Sequence, residues 1–145
     1  MTRRSAEVEI LLIEDDEVDR MAVRRAFKDL GVAPVIVEAT DGEEALQILE
    51  GKSDKPRPSS PFLILLDINM PKMNGHEFLA QLRAKEDPLV RDAVVFVLST
   101  SDAQVDIEQA YARNVAGYLV KSDYRDGLRP VVKMIDTFGS VVRLP

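Results

Sequence analysis

The chain has no cysteine among its 145 residues, so neither a disulfide framework nor a thiolate metal site is open to it. Its seven glycines never form Gly-x-Gly, which removes the dinucleotide fingerprint, and no P-loop is spelled either. The longest apolar runs are strand-sized and fall far short of a bilayer span. The amino terminus, Met1 to Val8, lacks the apolar stretch of a signal peptide. Positive charge is in deficit, with 19 Lys and Arg against 25 Asp and Glu, a net charge of −6. That balance disfavours a sequence-independent grip on DNA or on an anionic membrane and makes a protein the expected partner. A soluble cytoplasmic protein is the expectation.

The hydrophobic share is 46%, enough for a proper core in one domain of this length. Apolar runs alternate with amphipathic stretches. Strands are expected at 8–13, 35–38, 62–66, 93–98 and 117–120, each short and mainly apolar. Helices are expected at 17–30, 43–50, 75–83, 103–112 and 124–138, the first capped by Asp16 and closed by Gly31. Residues 51–61 carry three prolines and read as a loop. Five βα units imply a parallel sheet buried between helix layers, an open doubly wound α/β fold with its crevice at the carboxyl ends of the strands.

Those carboxyl ends carry the polar residues. Glu14 and Asp15 follow the first strand, Asp67 the third, Ser99 the fourth and Lys121 the fifth. In a parallel sheet they converge on one edge, bringing three carboxylates, a hydroxyl and an ammonium together. Carboxylates about 4 Å apart repel by roughly 4 kcal/mol at an effective dielectric of about 20, so the cluster calls for a cation, and hard oxygen ligands suit Mg²⁺.

Four segments make the resemblance specific: Leu12-Ile-Glu14-Asp15-Asp16, Leu66-Asp67-Ile-Asn69-Met-Pro71-Lys-Met-Asn-Gly75, Leu98-Ser99-Thr100 and Tyr118-Leu-Val-Lys121. In this order, at successive strand ends, the chain resembles a response-regulator receiver domain over nearly its whole length. The resemblance implies a (βα)5 flavodoxin-like sheet of order 2-1-3-4-5. It implies that Asp67 accepts a phosphoryl group from a histidine kinase or a small phosphodonor. It assigns Mg²⁺ to Asp15, Asp67 and the Asn69 carbonyl, with Glu14 acting through water. The hydroxyl of Ser99, with that of Thr100 as the alternative, the Thr100 amide and Lys121 would bind the phosphoryl oxygens, Lys121 pairing with Asp67 or with one of those oxygens. Tyr118 would swing inward as a switch, against the alternative of a static strand tyrosine.

Ser122 and Asp123 follow Lys121 where receivers usually carry proline, so the turn into the last helix is expected to differ. The proline-bearing loop and the ending from Phe138 to Pro145 resemble small stand-alone receivers that partner phytochrome histidine kinases. The expected organisation is an extension at 1–7, the receiver at 8–138 and a tail at 139–145. The tail is read as a dimer arm, a frayed end being the alternative. His76, the single histidine, reads as a polar residue at a helix start.

Three rival readings fit the residues less well. An aspartate-nucleophile phosphatase needs an acid two residues after its nucleophile, where this chain has Asn69. An EF-hand is disfavoured by Pro71 and Lys72 within the candidate loop. A pseudo-receiver would lack part of the acid set, and Glu14, Asp15 and Asp67 are all present. A phosphoacceptor signalling protein, and not a turnover enzyme, is the expectation.

Overall fold

The computed structural model describes residues 8–123 and 127–145, leaving the 1–7 extension and the start of the expected 124–138 helix outside the described residues. Five strands, β1 (Glu9–Ile13), β2 (Ile36–Ala39), β3 (Phe62–Leu66), β4 (Val94–Ser99) and β5 (Gly117–Val120), form one sheet. All pairings are parallel and the order is β2-β1-β3-β4-β5, as expected. The helices are α1 (Glu17–Leu30), α2 (Gly42–Leu49), α3 (Gly75–Arg83), α4 (Pro88–Arg91), α5 (Gln104–Ala112) and α6 (Arg129–Val141).

The two-residue period of the strands divides the core. Leu11, Ile13, Ile64, Leu66, Val95 and Val97 face a layer built on α2, α3 and α5. Ile10, Leu12, Leu63, Leu65, Phe96 and Leu98 face α1 and α6. All five residues of β3 are buried, because a central parallel strand is covered on both faces.

Helix starts follow local chemistry. The Asp16 side chain accepts from the Val18 amide, and α1 ends at Gly31 with φ of 80°, a left-handed position that glycine adopts at little cost. Asp41 caps α2, and Asn74 with Glu77 forms a reciprocal capping box on α3.

The structure corrects several expectations. The short helix α4, capped by Asp87 with Pro88 in its first turn, was not expected; one turn offers too little period to read. β1 begins one residue later than expected, while β2 and β4 are each displaced by one residue, to Ile36–Ala39 and Val94–Ser99. α6 begins at Arg129 rather than 124, with Pro130 in its first turn, and Lys121–Asp123 form a turn of 3-10 helix. It also runs on to Val141, taking in residues 139–141 that were expected as tail. Gly139 fits there because a side chain would crowd Val8, a Cβ lying 3.2 Å from its Cγ2. Beyond the helix, the Pro145 carbonyl accepts from the Ser60 hydroxyl at 3.0 Å, in the loop before β3.

Candidate functional site

The register of the sheet sets the site. Ile13 pairs with Leu66, so Glu14 and Asp67 leave neighbouring strands at the same level. The Asp67 amide donates to the Ile13 carbonyl at 3.0 Å and the Glu14 amide to the Ala39 carbonyl at 3.0 Å, extending the ladder to both acids. Arg20 steadies this edge, with one guanidinium nitrogen on the Glu14 carbonyl at 2.8 Å and another on Glu38 at 3.0 Å.

Glu14, Asp15 and Asp67 bring carboxylate oxygens within 4.8 Å of one another. Glu14 and Asp67 are buried, at 4% and 6% exposure, and Asp15 is exposed. Burial, followed by the charge of Asp67, pushes the Glu14 carboxyl up to about 8 against the pull of Lys121. Burial also raises Asp67, opposed by the Lys121 charge, while Asp15 adds to the rise. Two buried carboxyls raised chiefly by desolvation, Glu14 also by the Asp67 charge and Asp67 by the Asp15 charge, form a donor set that fits a hard divalent cation.

Behind Asp67 the chain turns sharply. The Asn69 amide donates to Asp67 Oδ1 at 3.2 Å, and the Gly75 amide to the Ile68 carbonyl at 2.9 Å. A Cβ on Gly75 would stand 2.7 Å from both the Asp67 carbonyl oxygen and the Ile68 Cα. The residue must therefore be glycine for α3 to start this close to the acid.

Ser99 ends β4 fully buried, its hydroxyl accepting from the Ser101 amide at 3.2 Å. Thr100 is exposed and its hydroxyl lies 3.5 Å from the Asn69 side-chain Nδ2. Tyr118 is directed inward from β5, its hydroxyl donating to the Ser101 carbonyl at 2.9 Å. Lys121 does not take Asp67, one of its two expected partners. Its Nζ pairs with Glu14 Oε1 at 2.5 Å and Asp19 Oδ2 at 2.8 Å, not with Asp67. Desolvation of this ammonium is outweighed by Asp19 and then Glu14, which push it up to about 12.

Three contributors escaped the sequence reading. Asp19 stands one turn into α1, where an acid reads as ordinary complement to the helix dipole. His76 is not merely polar: its Nε2 lies 2.9 Å from Asp106 Oδ1, joining α3 to α5, while Asp106 Oδ2 accepts from the Ser101 hydroxyl at 2.5 Å. Arg83 reaches four carbonyls, those of Arg91, Ala93, Arg113 and Asn114, at 2.7 to 3.0 Å, and so caps the ends of both α4 and α5. Only the i to i+3 spacing of an acid after a cap, in Asp19, was a visible signal.

This sheet and acid cluster are those of a known class. The family described as response regulator receiver domain matches residues 10–133, and the chain belongs to it. It is 36% identical over 129 residues to the probable methanogenesis regulatory protein FilR2 of Methanothrix harundinacea, covering 89% of this chain and 81% of that protein. It is 34% identical over 137 residues to the response regulator Rcp1 of Synechocystis sp., covering 94% and 92%. The crystal structure of Mn²⁺-bound Rcp1 superposes with a TM-score of 0.80 over 96% of this chain and 99% of that one. The phosphorylated cyanobacterial phytochrome response regulator RcpA gives 0.81 at 36% identity, over 94% and 97%. The chain is a receiver-domain response regulator related to phytochrome response regulators. No helix among the described residues is long and apolar enough to cross a membrane.

Proposed function

We propose that Asp67 is the phosphoacceptor of a two-component relay. The observation that carries this reading is the placement of Asp67 at the carboxyl end of β3, buried within reach of Glu14 and Asp15. An Asp67 carboxylate oxygen attacks the phosphorus of a kinase phosphohistidine. The new O–P bond forms as the N–P bond breaks, and the electron pair leaves on the imidazole nitrogen. Glu14, Asp15, Asp67 and the Asn69 carbonyl would hold a Mg²⁺, Glu14 through water. Its charge would offset that building on the transferred phosphoryl oxygens.

The chain's own residues complete the cradle. Buried Ser99 supplies a hydroxyl, Thr100 a backbone amide and Lys121 an ammonium. Tyr118, tied to the loop that follows Ser99, passes the change to the α5–β5 face. Relatives described as phytochrome response regulators support a phytochrome-type histidine kinase as donor.

Incubation with Mg²⁺ and acetyl phosphate tests the assignment by intact mass. The wild type is expected to gain about 80 Da, one phosphoryl group, and Asp67→Ala or EDTA-treated protein none. Absence of gain in protein that binds Mg²⁺ favours a kinase-only phosphoacceptor or a pseudo-receiver, and phosphotransfer from a phosphorylated kinase separates those two.

A homodimer is the second part of the reading. Pro130, Met134, Phe138, Val141 and Val142 line a shallow apolar groove on α6, and Val141 is 74% exposed. Pairing of two copies through this face would cover it. A single monomer mass by light scattering at high micromolar concentration rules this out.

A further inference from the structure

Two carboxylates compete for Lys121. Glu14 Oε1 lies 2.5 Å from its Nζ and Asp19 Oδ2 lies 2.8 Å away. The two acids are not equivalent. Glu14 belongs to the three-carboxylate cluster with Asp15 and Asp67, whereas Asp19 comes from the first turn of α1 and stands outside it. Glu14 would share its charge with any cation in that cluster; Asp19 keeps its charge for Lys121.

The position of Asp19 is built in. Asp16 caps α1 through the Val18 amide at 2.8 Å, fixing the turn from which Asp19 projects. An acid there is also favoured by the helix dipole. The Lys121 side chain is 16% exposed, so most of its stem is held by protein. Its head has somewhere to go: a cavity of about 250 Å³ bounded by Asp19, Val23, Asp67, Leu98 and Leu128 opens beside it. A buried stem whose ammonium is shared between two carboxylates beside open space suits a side chain that exchanges between anchors.

We propose that Asp19 is a positioning residue that draws the Lys121 ammonium off Asp67 and thereby sets how readily the phosphoryl form is reached. This rests on the reading of Asp67 as phosphoacceptor. An ammonium held by Asp19 must exchange that partner for a phosphoryl oxygen on Asp67. The stronger the hold of Asp19, the costlier the exchange.

Asp19→Asn keeps the side-chain shape and removes its charge. With Mg²⁺ and acetyl phosphate it is expected to gain the phosphoryl group roughly threefold faster than wild type, the scale of one partly exposed ion pair. Asp19→Glu is expected to return to the wild-type rate. In a Lys121→Gln background, Asp19→Asn is expected to change the rate little. Slower phosphorylation of Asp19→Asn, or equal acceleration in both backgrounds, overturns the proposal, because Asp19 would then act through its field or through α1 alone.

A wild type that takes no phosphoryl group from acetyl phosphate or from a phosphorylated kinase counts against the phosphoacceptor reading instead. The position of Lys121 is then read directly by nitrogen NMR of its side chain. Asp19→Asn is expected to shift the Lys121 Nζ resonance, and a further Asp67→Asn to shift it again, because the ammonium has moved toward Asp67. A Lys121 resonance indifferent to Asp67 in the Asp19→Asn protein overturns the proposal.

Discussion

The Tyr118 hydroxyl donates to the Ser101 carbonyl at 2.9 Å, so β5 holds the loop that follows β4 and carries Ser99 at its root. Burial raises the Tyr118 hydroxyl pKa, keeping it a protonated donor. Tyr118→Phe removes the donor and leaves a partly buried carbonyl to find water. A loss of about 1 kcal/mol is expected, with faster amide hydrogen exchange in the loop after β4 than elsewhere in the domain.

Gly75→Ala tests the close approach behind Asp67. Its Cβ would meet the Asp67 carbonyl oxygen and the Ile68 Cα at 2.7 Å, and both are backbone atoms that cannot rotate aside. We expect a destabilisation of about 2 kcal/mol, a Tm lower by about 4 °C or more, and slower phosphorylation of the displaced Asp67.

Arg83→Lys tests whether one guanidinium fork holds two helix ends. A lysine keeps the charge but cannot reach the four carbonyls that Arg83 serves. Urea denaturation is expected to show about 2 to 4 kcal/mol lost with an unchanged slope, the carbonyls after α4 and α5 losing their donor.

The Ser101 hydroxyl first, and then His76, holds the Asp106 carboxyl below its ordinary value of 3.8. A depressed folded value means the ionised form favours folding. The stabilisation is complete above pH 3.8 and is lost as pH falls through the lower folded value. Asp106→Asn is expected to be less stable than wild type near neutrality. Thermal melts of the pair should converge as pH falls below 3.8.

Divalent cation should stabilise the fold. At a concentration a hundredfold above its dissociation constant, Mg²⁺ is expected to add about 2.7 kcal/mol, seen as a higher Tm that EDTA reverses. Asp15→Ala should remove most of that gain, since Asp15 lies within 4.8 Å of the other two acids and is exposed enough to be replaced without opening the core.

Element type was legible wherever the apolar period was long. β3, α1, α3 and β5 stand at their expected bounds because caps, glycine and apolar runs agree there. α4 was not legible, since four residues carry no periodicity. The start of α6 was misread because the apolar period runs back past Pro130, while the helix tolerates that proline only in its first turn. Glu14, Asp15, Asp67 and Lys121 come together because a parallel sheet sends all strand ends to one edge.

What the sequence determined by itself was the order of the elements, the parallel sheet and the edge on which its polar residues gather, because these follow from local periodicity and strand direction. Which partner each side chain takes was decided only by tertiary structure. Lys121 is 102 residues from Asp19 and Arg83 is 31 from Asn114, and no local rule relates them. The pairing of Lys121 with Glu14 and Asp19, the bridge from His76 to Asp106 and the carbonyls gathered by Arg83 all depend on how helices settle on the sheet. That settling is set by packing across the whole core, where burial fixes distance and removes the water that would otherwise satisfy each charge.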